Sequence, residues 1–429
     1  MTQSMQCNDN VARSFKRWTV SVSLGLMLAV ACLAVTPGTS AAADKPKGQE
    51  ISRVIAKEMT AAQKALQAQQ WADAIKNLEA AEAKSPLTGF DKKTIYQFKA
   101  FANVKLGNLK AAQAEYDKML ATGAATPEET AAATRTLFGI AASTNQFQKT
   151  IDYGKQMVEA GTATPNDVAI VAQSYYQLKD CKSSSSWADK AIAATRKAGE
   201  TPKENLYLFK LQCASDAGDT GTMDTVLADL IRLNNKTTYW NTLLRIERQD
   251  ERDDHNTLMI YRIMYNTNSM NADTDYIEMS QLLGDAALPG EAAAVLDKAM
   301  SSGVIKDEHK ERTTRLLTSL KNRAEVDRKG LTSFDAEANK NPAGELDVKL
   351  GEVYYGFGDY QKSVDAISAG LQKGQIKHLD EAYVYLGLAE AQLKNFAEAK
   401  RTFANLKIVP NISPRVLKLM ELYASTLGS

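Results

Sequence analysis

The segment KLGEVYYGFGDYQKSVDAISAGL, Lys349 to Leu371, returns an apolar or small residue every third or fourth position and breaks at Gly358-Asp359. Such spacing lines one face of a helix, and the break makes two helices joined by a turn. Further on, YLGLAEAQLKNFAEAKRTFANL, Tyr385 to Leu406, repeats the pattern in other letters. A pair of amphipathic helices leaves one apolar face open, and a neighbouring pair of the same kind closes it. Recurrence is therefore the constraint that decides the fold.

In the first segment Leu350, Gly351 and Tyr354 share a face of the leading helix, and Ser363, Ile367 and Gly370 form the inner face of the second. Their counterparts are Leu386, Gly387 and Glu390, then Ala399, Phe403 and Leu406. Gly351 and Gly387 allow close helix approach, and Tyr360 and Phe396 fill the space beside the turn. The position that opens the close contact recurs at Ala74, Ala112, Thr150, Ser184, Met223, Asn256, Ala292, near Gly330, Ser363 and Ala399. That is a step of about 36 residues. The sixth copy keeps Trp240 and Leu243 but has a charged turn, RQDERDD, and the eighth, around Gly330 and Phe334, is degenerate. Sustained apolar-polar alternation is missing, so strands are not expected.

This pattern resembles the tetratricopeptide repeat, with Trp71, Ala74, Leu78, Ala81 and Pro86 in the first copy at that family's spacing. The resemblance implies an all-α fold, a right-handed α-solenoid of about ten helix-turn-helix repeats. Expected blocks are N-terminal repeats over 51–235, divergent central repeats over 236–342 and C-terminal repeats over 343–409. A capping helix follows over 410–429, with Ser413 as N-cap and Pro414 in the first turn.

Residues 1–43 have the form of a secretory leader: Arg13, Lys16 and Arg17 precede an apolar run from Trp18 to Val35. Ala41 and Ala43 offer a cleavage site, followed by a short linker over 44–50. Cys32 leaves a lipid anchor open as an alternative, and the run also nears the length of an uncleaved membrane anchor. A periplasmic location is expected. With 44% hydrophobic and 24% charged residues the chain can build a large core, and its net charge of +1 carries no nucleic-acid footprint. Any membrane contact is expected only through partners or an uncleaved leader.

The three histidines, His255, His309 and His378, assemble neither a His-Glu-x-x-His zinc motif nor a signature triad. No catalysis, metal or cofactor is expected. Function is assigned to the concave groove lined by first helices, with Gln173, Tyr176, Arg245, Arg248, Glu352, Tyr355 and Leu388 as partner-binding candidates. The plainer alternative for each is a solvated helix residue.

From Tyr239 onward, YWNTLLRIERQ, then YIEMSQLLGDAALPGEAAAVLDKAMSSGVI, then the two terminal repeats resemble one subgroup. These are exported tetratricopeptide proteins encoded beside TonB, ExbB and ExbD in Gram-negative bacteria. The charged RQDERDDHNT turn departs from that subgroup. The resemblance implies an accessory of an energy-transduction assembly serving outer-membrane uptake, with those proteins as partners. The alternative is an envelope adaptor in polysaccharide export or peptidoglycan assembly.

Beyond the leader only Cys181 and Cys213 remain, an even pair in an oxidising compartment, which suggests one disulfide against two buried thiols. Denatured without reductant, the exported chain is expected to leave both cysteines unlabelled by iodoacetamide, and to label both after reduction. Labelling before reduction, read by peptide mass spectrometry, would establish free thiols.

Overall fold

The computed structural model describes residues 50–249, 251–410 and 412–428. The leader, and the linker apart from Glu50, lie outside the described residues. Twenty α-helices and one short 3-10 turn succeed one another there, with no strand. No helix among the described residues is long and apolar enough to cross a membrane. The chain separates into two compact units that meet in sequence between Lys210 and Leu211. The blocks expected to end at 235 and 342 do not follow this division.

Unit 1 contains α1 (Ala56–Gln67), α2 (Trp71–Glu82), α3 (Gly89–Lys105), α4 (Leu109–Ala121), α5 (Pro127–Ser143), α6 (Phe147–Glu159), α7 (Pro165–Gln177) and α8 (Cys181–Lys197). Each packs on the next, so pair stacks on pair. Three first helices start with the same device. Thr88, Thr126 and Thr164 accept from the backbone N–H of Asp91, Glu129 and Asp167, whose carboxylates accept from the threonine N–H in return. Such capping boxes satisfy two helix-end donors at once. The same carboxylates bind the preceding repeat: Asp91 accepts from Ser52 N–H at 2.9 Å, Glu129 pairs with Lys93 at 2.7 Å and Asp167 with Arg135 at 3.0 Å. Helix start and inter-repeat register are thus set by one residue.

Helix α9 (Glu204–Ala217) contains the boundary. Unit 2 continues with α10 (Thr220–Leu233), α11 (Thr237–Gln249), α12 (Asp254–Asn266), α13 (Asp273–Asp285), α14 (Pro289–Ser302) and α15 (Asp307–Lys340). Then come α16 (Glu345–Gly356), α17 (Tyr360–Lys373), α18 (Leu379–Gln392), α19 (Phe396–Ala404), the 3-10 turn Asn405–Ile408 and α20 (Pro414–Thr426). Stacked pairs of this kind make each unit an α-solenoid segment.

The close-contact positions expected from the repeat are buried at Ala74, Ala112, Thr150, Ser184, Met223, Ala292, Ser363 and Ala399. Asn256 is only half-buried and Gly330 is exposed. Both exceptions have a physical cause. α15 runs without a turn through the expected eighth repeat, so Gly330 lies mid-helix. α12 has left the usual second-helix packing because it is covered from more than one side.

That covering comes from the end of the chain. α20 packs on α19 as a cap should, but also on α10 and α12. Trp240 of α11 meets Tyr423 of α20 edge-on, ring centroids 6.5 Å apart, and Arg415 pairs with Glu247 at 3.0 Å. Unit 2 therefore closes on itself. Ser413 stands at the N-cap of α20 but makes no side-chain cap bond, unlike the expectation, whereas Pro414 occupies the first turn.

A Cβ at Gly351 would lie 2.3 Å from Ile367 Cγ1 and 3.1 Å from the Ser363 carbonyl oxygen, while one at Gly330 meets nothing within 4 Å. Gly351→Ala is expected to destabilise by about 1–3 kcal/mol through overpacking. Gly330→Ala is expected to stabilise by about 0.5–1 kcal/mol through helix propensity. Urea unfolding of the two variants checks the opposite signs.

Candidate functional site

The middle of helix α12, DHNTLMIYRIMYN, is buried at every position from Thr257 to Met264 and is apolar from Leu258 onward except at Arg262, and such a stretch belongs in an interior. Its one guanidinium, Arg262, is 1% exposed. Arg262 Nε donates to Glu291 Oε1 of α14 at 3.4 Å, and its terminal nitrogen donates to the Tyr385 hydroxyl of α18, whose ring lies 4.3 Å beneath the guanidinium. Tyr385 in turn donates to Glu291 Oε2 at 2.6 Å. Three helices distant in sequence thus share one closed hydrogen-bond triangle.

The network extends to both sides. Lys349 of α16 donates to Glu352 at 2.9 Å and to Glu381 of α18 at 3.0 Å. His255, in the first turn of α12, reaches Asp380 Oδ2 at 2.7 Å and Glu381 Oε1 at 3.3 Å. Glu291, Glu352 and Asp327 border a cavity of about 10 Å³, room for about one water. Pro289-Gly290 and Gly356 form its walls, where a Cβ on Gly356 would lie 2.7 Å from the Glu291 nitrogen. No group of three or more His, Cys, Asp or Glu able to hold a metal occurs among the described residues.

Protonation follows from these surroundings. Burial pushes the Glu352 carboxyl up to about 7 despite Lys349. Burial also acts to raise Glu381, but His255 and Lys349 overcome it and hold that carboxyl at about 2. Asp380 and Glu381 lift His255 to about 9. Burial opposes the charge on Arg262, and Tyr385 and Glu291 more than restore it. Burial raises the Tyr355 and Tyr385 hydroxyls well above the usual phenol range. At neutral pH the site holds fixed cations and one carboxyl balanced between two forms. Its geometry joins four helices around a cavity with room for about one water.

The groove residues expected from sequence divide accordingly. Glu352 is 1%, Tyr355 8% and Leu388 0% exposed, so none is available on a groove wall in this conformation. Around them α14 and α18 pack on α16, Leu288 to Glu291 of the α14 start stand beside Glu352, and α12 is tied to α18 through Arg262–Tyr385 and His255–Asp380. Arg248 is half-buried and committed internally, to Glu278 at 3.0 Å and the Tyr261 hydroxyl at 2.5 Å. Arg245 on the same helix is exposed. In unit 1, Gln173 and Tyr176 are half-buried at the surface, with Tyr176 stacked on Phe209 at 4.8 Å. His255, Arg262, Glu291, Lys349, Glu381 and Tyr385 were not singled out by sequence. The available signal was the run Leu258–Met264, broken only by Arg262.

No family model and no curated protein matches the chain. Among solved structures it is similar to a tetratricopeptide-repeat protein from Parabacteroides merdae, at 12% identity and TM-score 0.31, covering 62% of this chain and 100% of that one. It is also similar to Naa15/Naa10 bound to HypK-THB, at 13% identity and TM-score 0.35, covering 84% of this chain and 64% of that one. The TPR2AB domain of yeast Sti1 in complex with pHSP90 gives 11% identity and TM-score 0.23, covering 69% and 98%. At these scores the likenesses carry no residue across, and the solenoid assignment stands on the helix pairs described above.

A carboxyl whose folded value lies above its unfolded one binds more protons when folded, so it lowers stability as pH rises between the two values. For Glu352 that window runs from 4.5 to about 7. The cost of ionising it amounts to about 3 kcal/mol across the window. Thermal melting between pH 5 and 7 should show wild-type stability falling, and Glu352→Gln should reduce the fall. An identical slope in the variant would mean that Glu352 is not held protonated.

Proposed function

We propose that the chain is an exported helical-repeat scaffold that binds protein partners by surface and performs no chemistry of its own. The observation that carries this reading is the stack of helix pairs. Such an architecture displays an extended side wall made of many first helices, which suits partner domains or peptides better than a small reacting molecule. The leader pattern of residues 1–43 supports a periplasmic site of action. The likeness of the segments from Tyr239 onward to exported accessories of TonB, ExbB and ExbD supports an energy-transduction assembly as the setting.

Self-closure of unit 2 refines where a partner would sit. With Glu352, Tyr355 and Leu388 covered by the chain itself, the contact surface is assigned to the first helices of unit 1, at Gln173 and Tyr176, and to the exposed Arg245. Half-buried aromatics beside polar side chains are favourable anchors, since they add apolar area at low entropic cost.

The test is site-specific photo-crosslinking in the native host, with the photoreactive residue placed in turn at Gln173, Arg245 and Leu388. Expected is capture of TonB, ExbB or ExbD from the first two positions and none from the third. Recovery of export or wall-synthesis enzymes alone would overturn the energy-transduction setting. Capture from position 388 equal to that from 173 would overturn the surface assignment.

A further inference from the structure

The junction between α12 and α18 joins residues more than a hundred positions apart, and it is made in two unlike ways. Its deep part is the buried triangle of Arg262, Tyr385 and Glu291. Its outer part is the single imidazole of His255, one-third exposed, standing between Asp380 and Glu381 in the first turn of α18. The ring of His378, just before α18, lies 6.0 Å from that of His255. Asn266 and Gln392 add a neutral hydrogen bond of 2.8 Å at the far end of the two helices.

The charges facing His255 come from each neighbouring element. α18 supplies Asp380 and Glu381, and α16 supplies Lys349 and Glu352, which meet Glu381 from the other side. α12 itself contributes Asp254 and, deeper, Arg262, whose field reaches Glu381 and Glu352. Arg415 of α20 is engaged with Glu247 and Glu251 beyond the preceding turn. Without a proton on His255, Asp380 loses its short-range cation, and Glu381 keeps Lys349, which it shares with Glu352, and the more distant field of Arg262.

We propose that His255 is a proton-dependent fastener between two helices: protonated, it ties α12 to the first turn of α18, and deprotonated, it releases that turn while the apolar core stays folded. The imidazole is raised to about 9 by its two carboxylates, so the tie is complete below the free-imidazole value of 6.5 and is lost as pH rises through about 9. Partial exposure of the ring lets protons exchange with solvent without prior unfolding. The segment released is short because the core side chains of α18, from Val384 through Ala389, remain buried by apolar contacts.

Hydrogen exchange with mass spectrometry on the full exported chain tests this, with rates corrected for intrinsic base catalysis. Amides of residues 382–384, the first with acceptors at the start of α18, are expected to lose about tenfold protection between pH 7.5 and 10, a difference worth about 1.4 kcal/mol, while those of 419–424 keep theirs. His255→Lys, charged throughout, should abolish the change, and His255→Gln should show the weakened protection already at pH 7.5. A flat corrected profile in wild type, or equal protection in wild type and His255→Gln at pH 7.5, overturns the proposal. If His255→Gln does not fold, Asp380→Asn is read by the same criterion.

Discussion

Arg262 is a cation with almost no water around it, and the organisation of unit 2 depends on how that charge is satisfied. An unpaired buried guanidinium costs several kcal/mol, and removing one partner of a buried pair typically costs about 3–5 kcal/mol. Glu291 and Tyr385, from α14 and α18, must therefore both reach α12. This fixes the rotation of α12 about its axis and the register of two other helices against it. The force that closes the unit is nevertheless apolar. α20 alone buries Val416, Leu419, Met420, Leu422 and Tyr423. At roughly 1.5–3 kcal/mol for each such side chain, burial amounts to about ten kcal/mol, more than the ion pairs provide. Apolar contact holds the helices together, and Arg262 decides how they meet.

Much of the repeat was legible in the sequence because its determinants are local. Small residues at Ala74, Ala112, Ala292 and Ala399 mark helix crossings, and all four are fully buried. Turns were legible where glycine marked them, as at Gly107 and Gly358, or where a polar run did, as in RQDERDD and in KNF over 394–396. Gly107 and Gly358 take positive φ, as expected for such turns, but so do Gln69, Asn145, Lys179, Ala287 and Lys394 at corresponding places. Those residues accept the conformation because the helices on either side impose it, which local propensity does not reveal. The lost turn of the eighth repeat is the reverse case. Gly330 was placed near the close contact of a second helix, but one helix runs from Asp307 to Lys340 without the turn that would begin such a helix.

The candidate site was less legible because it is made by long-range contacts. Helical periodicity tells which face of α16 or α18 is inward. It does not tell that another helix of the same chain will occupy the space beyond. Tyr355, Glu352 and Leu388 were assigned to an open groove on the usual geometry of first helices, and in the folded unit all three are buried. A sign was present in α12 itself, since Leu258 through Met264 offer no polar face apart from Arg262, and such a helix needs cover on every side.

The two units consequently face their surroundings in different ways. In unit 1 the strong polar contacts are short ladders between successive repeats, each using a capping carboxylate, and they leave Gln173 and Tyr176 at the surface. In unit 2 the strongest polar groups turn inward, where their work is to join helices. A carboxyl such as Glu352, balanced between charged and neutral forms near pH 7, would in an open cleft suggest acid-base chemistry. Here the same property arises from dense packing, with space for little more than one water beside it. The perturbed groups of unit 2 thus measure its closure, and the surface available to partners is to be sought where the helices have not been covered by their own chain.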